Sequence, residues 1–90
     1  MRFDDIVKVV ERIKKAKWEE FRDRHGDNGR DLVLWAGRQF GGMTLKELGD
    51  RAGRMDYAAV AVGILRLAAR AKRNRSLRKL MPKVADKCQM

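Results

Sequence analysis

From Phe3 onward, apolar side chains return every three or four positions, at Phe3, Ile6, Val7, Val10, Ile13, Trp18 and Phe21. That spacing predicts an amphipathic helix. Asp4 and Asp5 stand in its first turn, where carboxylates favour the positive end of the helix dipole. The step from Ile13 to Trp18 is longer, so the helix is expected to break near Ala16 and resume as a short second segment over 17–24. His25-Gly26-Asp27-Asn28-Gly29 is dense in turn formers, with Asp27 or Asn28 placed to cap the next helix.

Residues 30–40 read as that helix, offering Leu32, Val33, Trp35, Ala36 and Phe40 to the core and ending at Gly41-Gly42. Thr44 and Glu47 form a capping-box pattern and start a short helix that runs to about Ala52. Gly53 offers a sharp turn, and Asp56 is a second N-cap before a longer helix over 57–73 whose core stripe is Val60, Ile64, Leu67 and Ala71. A last helix over 76–87 puts Leu77, Leu80, Met81 and Val84 on one face, with Pro82 expected to kink or end it. No run alternates with period two. The expected architecture is all-α: one domain over 1–90, a small bundle of about five helices made of a helical segment over 3–24, a helix-turn-helix core over 30–73 and a C-terminal helix over 76–87.

Composition narrows the function classes. At 90 residues, with 44% hydrophobic and 38% charged side chains, the chain suits one folded, helix-rich domain. Its one cysteine, Cys88, excludes a disulfide framework and fits a reducing, cytoplasmic setting. The apolar stretch over 57–65 is far shorter than the roughly 20 residues of a membrane span, and no signal-type leader is expected. The net charge of +10 is unevenly spread. Residues 1–50 hold 11 Lys/Arg against 10 Asp/Glu, or +1, whereas residues 51–90 hold 11 against 2, or +9. That asymmetry points to a polyanion, nucleic acid ahead of an anionic membrane.

The stretch 45–62 has the parts of a helix-turn-helix: Leu45 and Leu48 to pack inward, Gly49 small where two helices approach, Gly53 at the turn, and Ala58, Ala59 and Ala61 on a second helix slim enough to approach bases. Spacing alone equally allows an ordinary helical hairpin. The arginines that continue the second helix favour the DNA alternative. His25 in a turn suits a surface or capping role, and Trp18 and Trp35 suit the core. Paired carboxylates, a metal cluster and an activated nucleophile are all lacking, so no catalytic residue, cofactor or metal is expected and the chain is not read as an enzyme.

The segment 30–67, RDLVLWAGRQFGGMTLKELGDRAGRMDYAAVAVGILRL, resembles the C-terminal DNA-binding domain of the replication initiator DnaA, a Trp-repressor-like fold. It looks even more like the DnaA-type module at the C-terminus of transposases associated with repetitive extragenic palindromes. Leu45, Glu47, Leu48, Gly49, Gly53, Asp56 and Val60, in that order, carry the resemblance. It implies Arg30 in a minor groove, Thr44 near phosphate, and Asp56, Tyr57, Ala58 and Ala59 opening the reading helix. Where DnaA opens that helix with Arg-Asp-His-Thr-Thr, this chain has Met55-Asp56-Tyr57-Ala58-Ala59, which removes a bidentate guanine reader. The nuclease chemistry of the transposases, two histidines and a tyrosine, has no counterpart in a chain with one of each.

The expectation is therefore duplex DNA held by Arg30 in the minor groove, by Arg54, Tyr57, Ala58 and Ala59 in the major groove, and by Thr44, Lys46, Arg66 and Arg70 at phosphates. The chain would then be cytoplasmic, and nucleoid-associated in a bacterium. A transposase or another protein is a further candidate partner. The rival function is protein docking through residues 74–90, and structured RNA or single-stranded DNA ranks third.

Overall fold

The computed structural model describes residues 1–24 and 26–89. The fold is all-α, and among the described residues there is no strand. Six helices follow one another: α1 Phe3–Lys14, α2 Trp18–Phe21, α3 Gly29–Phe40, α4 Leu45–Arg51, α5 Tyr57–Ala71 and α6 Arg75–Cys88.

The expected break after the first helix is real and has a backbone cause. Lys15 takes a left-handed conformation (φ 57°), which stops α1. The Glu11 carboxylate then accepts the Trp18 amide at 2.7 Å, tying the start of α2 to the last turns of α1. Trp18 stands edge-on between Phe3 and Phe21, with ring centroids 5.9 and 5.6 Å away. Such T-shaped pairs add to the burial of the rings themselves.

The centre of the molecule is α3. Its consecutive Leu32, Val33 and Leu34, together with Ala36, are fully buried, as a helix wrapped on most of its sides requires. All five other helices pack against it. Gly29 lies where the Phe21 ring closes over the start of α3, a place with no room for a Cβ. Asp27 and Asn28 divide the capping role that either was expected to fill. Asp27 Oδ1 accepts the Gly29 amide at 2.7 Å, while Asn28 occupies the N-cap position and turns its side-chain oxygen elsewhere. At the other end Gly42 supplies the positive φ (64°) that lets the chain turn toward α4.

Two expectations need correction. Pro82 does not end the last helix, since α6 is continuous from Arg75 to Cys88. Leu77, Val84 and Cys88 anchor the helix on both sides of the proline, which itself faces solvent, so the backbone hydrogen bond it lacks falls on the wet side. The other signal missed in the sequence is Asn74, whose Oδ1 accepts the Leu77 amide at 3.0 Å and caps α6. Asp56 occupies the N-cap position of α5 in extended geometry, but its carboxylate makes no capping hydrogen bond.

Candidate nucleic-acid interface

Between α4 and α5 the chain makes a tight elbow. The expected capping box opens α4: Thr44 Oγ1 accepts the Glu47 amide at 3.1 Å, and Glu47 Oε1 accepts the Thr44 amide at 3.2 Å. Leu48 and Ala52 bury their side chains, fixing α4 against the body. The Met55 amide then donates to the Gly49 carbonyl at 2.8 Å. A Cβ on Gly49 would collide with the Met55 carbonyl oxygen, so only glycine lets the turn fold back so closely. Gly53 and Arg54 both take positive φ, 96° and 60°. Glycine does so freely. For arginine the conformation costs about 1 kcal/mol or more, and it is held here by the elbow on either side.

The elbow delivers the first turn of α5 to the surface. Tyr57 is 62% exposed, and Ala58 and Ala59 are exposed with it. Lys46, Asp50, Arg54, Met55, Asp56 and Tyr57 line an open groove of about 620 Å³. The structure thus brings together Lys46, Arg54, Asp56 and Tyr57, with Ala58 and Ala59 adjoining in the helix and Thr44 exposed at the start of α4. Locally the charges balance, two cations against two carboxylates.

A second cluster gathers the remaining predicted residues. Arg30, Arg66 and Arg70 share a cleft of about 190 Å³ with Arg22, Arg24, Asp23, Gly26, Asp27 and Asp31. Here the arginines expected at phosphates have protein partners. Arg66 makes a two-pronged contact with Asp31, Nε to Oδ2 at 3.1 Å and Nη2 to Oδ1 at 3.3 Å. Asp31 is only 2% exposed, and a carboxylate so buried requires a counter-charge. Gly63 makes the approach possible, because a Cβ there would lie 2.8 Å from Asp31 Oδ1. Arg70 Nη1 donates to Asn28 Oδ1 at 2.8 Å. Arg66 and Arg70 therefore join α5 to the start of α3, a structural role that their spacing along α5 did not reveal. Arg30 makes no ion pair or side-chain hydrogen bond among the described residues.

Asp27 also faces this cleft. Burial pushes its carboxyl upward, but the hydrogen bond from Lys14, the Gly29 amide and the charges of Lys14 and Arg24 outweigh that and hold it below its usual value. At the far end of the molecule, burial raises the Cys88 thiol, an effect the nearby chain amino terminus only partly offsets.

Sequence reasoning missed Asn28 and Asp31 as partners of the α5 arginines. The signal for Asp31 was present, since it is a lone acid beside the most apolar run of α3. Also missed were Val62 and Leu65, which lie off the core stripe of α5 and are 56% and 70% exposed. Trp18 and Trp35 are half-buried against the core, as expected, and Trp35 pairs edge-on with Phe40. The role expected of His25 falls outside the described residues. Among the described residues no three His, Cys, Asp or Glu side chains are grouped to hold a metal ion, and no helix is long and apolar enough to cross a membrane. A scan against protein-family models and searches of curated proteins and of solved structures give no match to this chain.

Proposed function

We propose that the chain is a non-catalytic DNA-binding domain in which α4, the elbow and α5 act as a helix-turn-helix, with α5 as the helix that reads duplex DNA. The observation that carries this is the first turn of α5, where Tyr57 projects beside Ala58 and Ala59 from a glycine-fixed elbow. A rigid, slim helix start is what the major groove admits, and Tyr57 gives it one hydrogen-bonding group for base edges. Because Asp56 leaves the first-turn amides of α5 uncapped, they too are available to a phosphate oxygen.

Lys46 and Arg54 flank that turn and contact phosphates, Thr44 approaches the backbone from the start of α4, and Arg30 takes an adjoining groove. The +10 net charge supplies the long-range attraction. The resemblance of residues 30–67 to the DnaA-type module of transposases supports the same assignment and makes a transposase-derived origin the natural one. In a bacterium the chain would then reside with the nucleoid. Docking through residues 74–90 loses its main support, because the apolar face of α6 is occupied by α1 and α3.

The test is fluorescence anisotropy with a labelled random-sequence duplex and the matching single strand across a salt series. Tighter duplex binding with a steep loss on adding salt is expected, and Lys46→Ala or Arg54→Ala should each reduce the log–log slope by about one. Tyr57→Ala should change the preferred sequence in a site selection. Failure to bind either probe at low salt would overturn the proposal.

A further inference from the structure

Two amphipathic helices, α1 and α6, pack against each other and against α3, and they differ in the charges they carry. Along α1 the signs balance, Asp4, Asp5 and Glu11 against Lys8, Arg12 and Lys14. Along α6 they do not, since Arg75, Arg78, Lys79, Lys83 and Lys87 face one acid, Asp86, in the last turn. All five cations are exposed, and none is in an ion pair among the described residues. Arg75, Lys79, Lys83 and Lys87 recur at every fourth residue and so form one ridge, with a rise of roughly 6 Å from each to the next. Arg78 borders the ridge, its Nη1 donating to the Lys72 carbonyl at 3.2 Å. The start of the ridge also runs against the helix dipole. Each of α1 to α4 carries an acid in its first turn, whereas α6 opens on Arg75 with no acid there and continues into Arg78. Cations at that end are disfavoured within the helix, a cost that an external anion offsets.

The chemistry of the ridge selects among polyanions. An anionic membrane would need the apolar face of α6, but Leu77, Val84 and Cys88 are buried in the core. A protein partner would need an apolar anchor, and among the described residues α6 exposes no large hydrophobic side chain. A second copy set α6 against α6, in either direction, would oppose cation to cation. Single strands are held largely by stacking on aromatic rings, and α6 has none. What remains is a regular, densely charged surface that asks only for charge, and a duplex backbone with one negative charge per roughly 1.7 Å of its axis supplies it. We infer that the outer face of α6 holds the phosphate backbone of duplex DNA, without regard to base sequence, through Arg75, Arg78, Lys79 and Lys83. That the duplex is DNA rests on the reading of α5 proposed above. The ridge itself shares no residue with the reading turn.

The decisive experiment compares the full chain with the double variant Lys79→Gln and Lys83→Gln, titrated into labelled random-sequence DNA duplex across a salt series. Glutamine keeps helix propensity and both positions are exposed, so the variant retains the fold, which circular dichroism checks. A second double variant, Lys8→Gln and Arg12→Gln, removes the same charge from exposed positions on α1. The α6 variant should lower the log–log salt slope by about two and weaken binding to every duplex, with the sequence preferred in a site selection unchanged. The α1 variant should leave the slope as it was. The inference is overturned if the α6 variant binds as the wild type does, or if the α1 variant loses as much, which would make net charge the whole effect. It is also overturned if polyglutamate of equal charge displaces the duplex as well as unlabelled DNA does, or if an RNA duplex binds more tightly than DNA and loses that advantage in the α6 variant. Lys46→Ala in the same series keeps the two surfaces apart. A slope lowered by Lys46→Ala but not by the α6 variant removes the ridge and leaves the reading turn, and the converse result removes the turn and leaves the ridge.

Discussion

The two ends of α5 treat their charged and polar residues in opposite ways. At the C-terminal end, Arg66 is gripped by a buried carboxylate and Arg70 by an asparagine oxygen. At the N-terminal end Asp56 caps nothing, Tyr57 is largely in water, and Arg54 holds a strained backbone with no side-chain hydrogen bond or ion pair among the described residues. One end anchors the helix and the other stands in solvent. Residue type does not divide them, since both ends contain arginine. The difference lies in what the neighbouring helix presents, a buried Asp31 against one and open solvent against the other.

The anchored end should give the largest effect. Arg66→Ala strands the Asp31 carboxylate without its counter-charge, and we expect a loss of about 3 kcal/mol in urea unfolding. Asp31→Ala should cost less, about 1–2 kcal/mol, because Arg66 is 41% exposed along its side chain and can turn into water. In the double variant the two losses should not add. If Asp31→Ala proved the more damaging, the seam would be held by packing around the carboxylate and not by its charge.

Next in size is the elbow that separates the ends. Gly49→Ala sets a methyl group against the Met55 carbonyl, and relief requires the turn to open, so a loss of about 2 kcal/mol is expected in the same assay. Because the turn aims α5, duplex affinity should fall by more than the unfolded fraction explains. Arg54→Gly sharpens the comparison from the other side. Relief of the positive φ should raise stability by up to about 1 kcal/mol, while loss of the guanidinium weakens duplex binding at all sequences. An unchanged affinity in a stabilised variant would make Arg54 a turn residue alone.

How much of this was legible in the sequence follows from the range of each interaction. Local signals read well: the Thr44–Glu47 box, the Gly53 turn and the break before Trp18 rest on contacts within a few residues, which spacing encodes. The core stripe of α5 was equally plain. Contacts across the fold did not read. The bond from Arg66 to Asp31 spans 35 positions and that from Arg70 to Asn28 spans 42, so spacing on α5 made both look like free surface cations. Pro82 misled for a related reason, since its penalty depends on which side of α6 meets water. For the candidate site, Lys46, Arg54, Asp56 and Tyr57 stand together at one groove, whereas the arginine set is split by partners invisible along the chain.

The smallest expected effect tests whether anchoring by charge extends to the start of α3. Asp27 meets Lys14 at 2.9 Å and Arg24 at 3.5 Å, with the Gly29 amide at 2.7 Å. Its carboxyl titrates below the usual 3.8, so the ionised form is favoured in the folded state. The sign follows from linkage: the stabilisation is complete above pH 3.8 and drains away as pH falls through the lower, folded value. Asp27→Asn keeps an oxygen for the Gly29 amide and gives up only the cations. It should cost less than about 1 kcal/mol at neutral pH, since Lys14 and Arg24 both retain access to water. Urea unfolding of both proteins across the acid range should bring the two stability curves together below pH 3.8. Curves that stay parallel would assign the role of Asp27 to the shape of the turn, leaving the α3–α5 seam as the one place in the cleft where charge holds the fold.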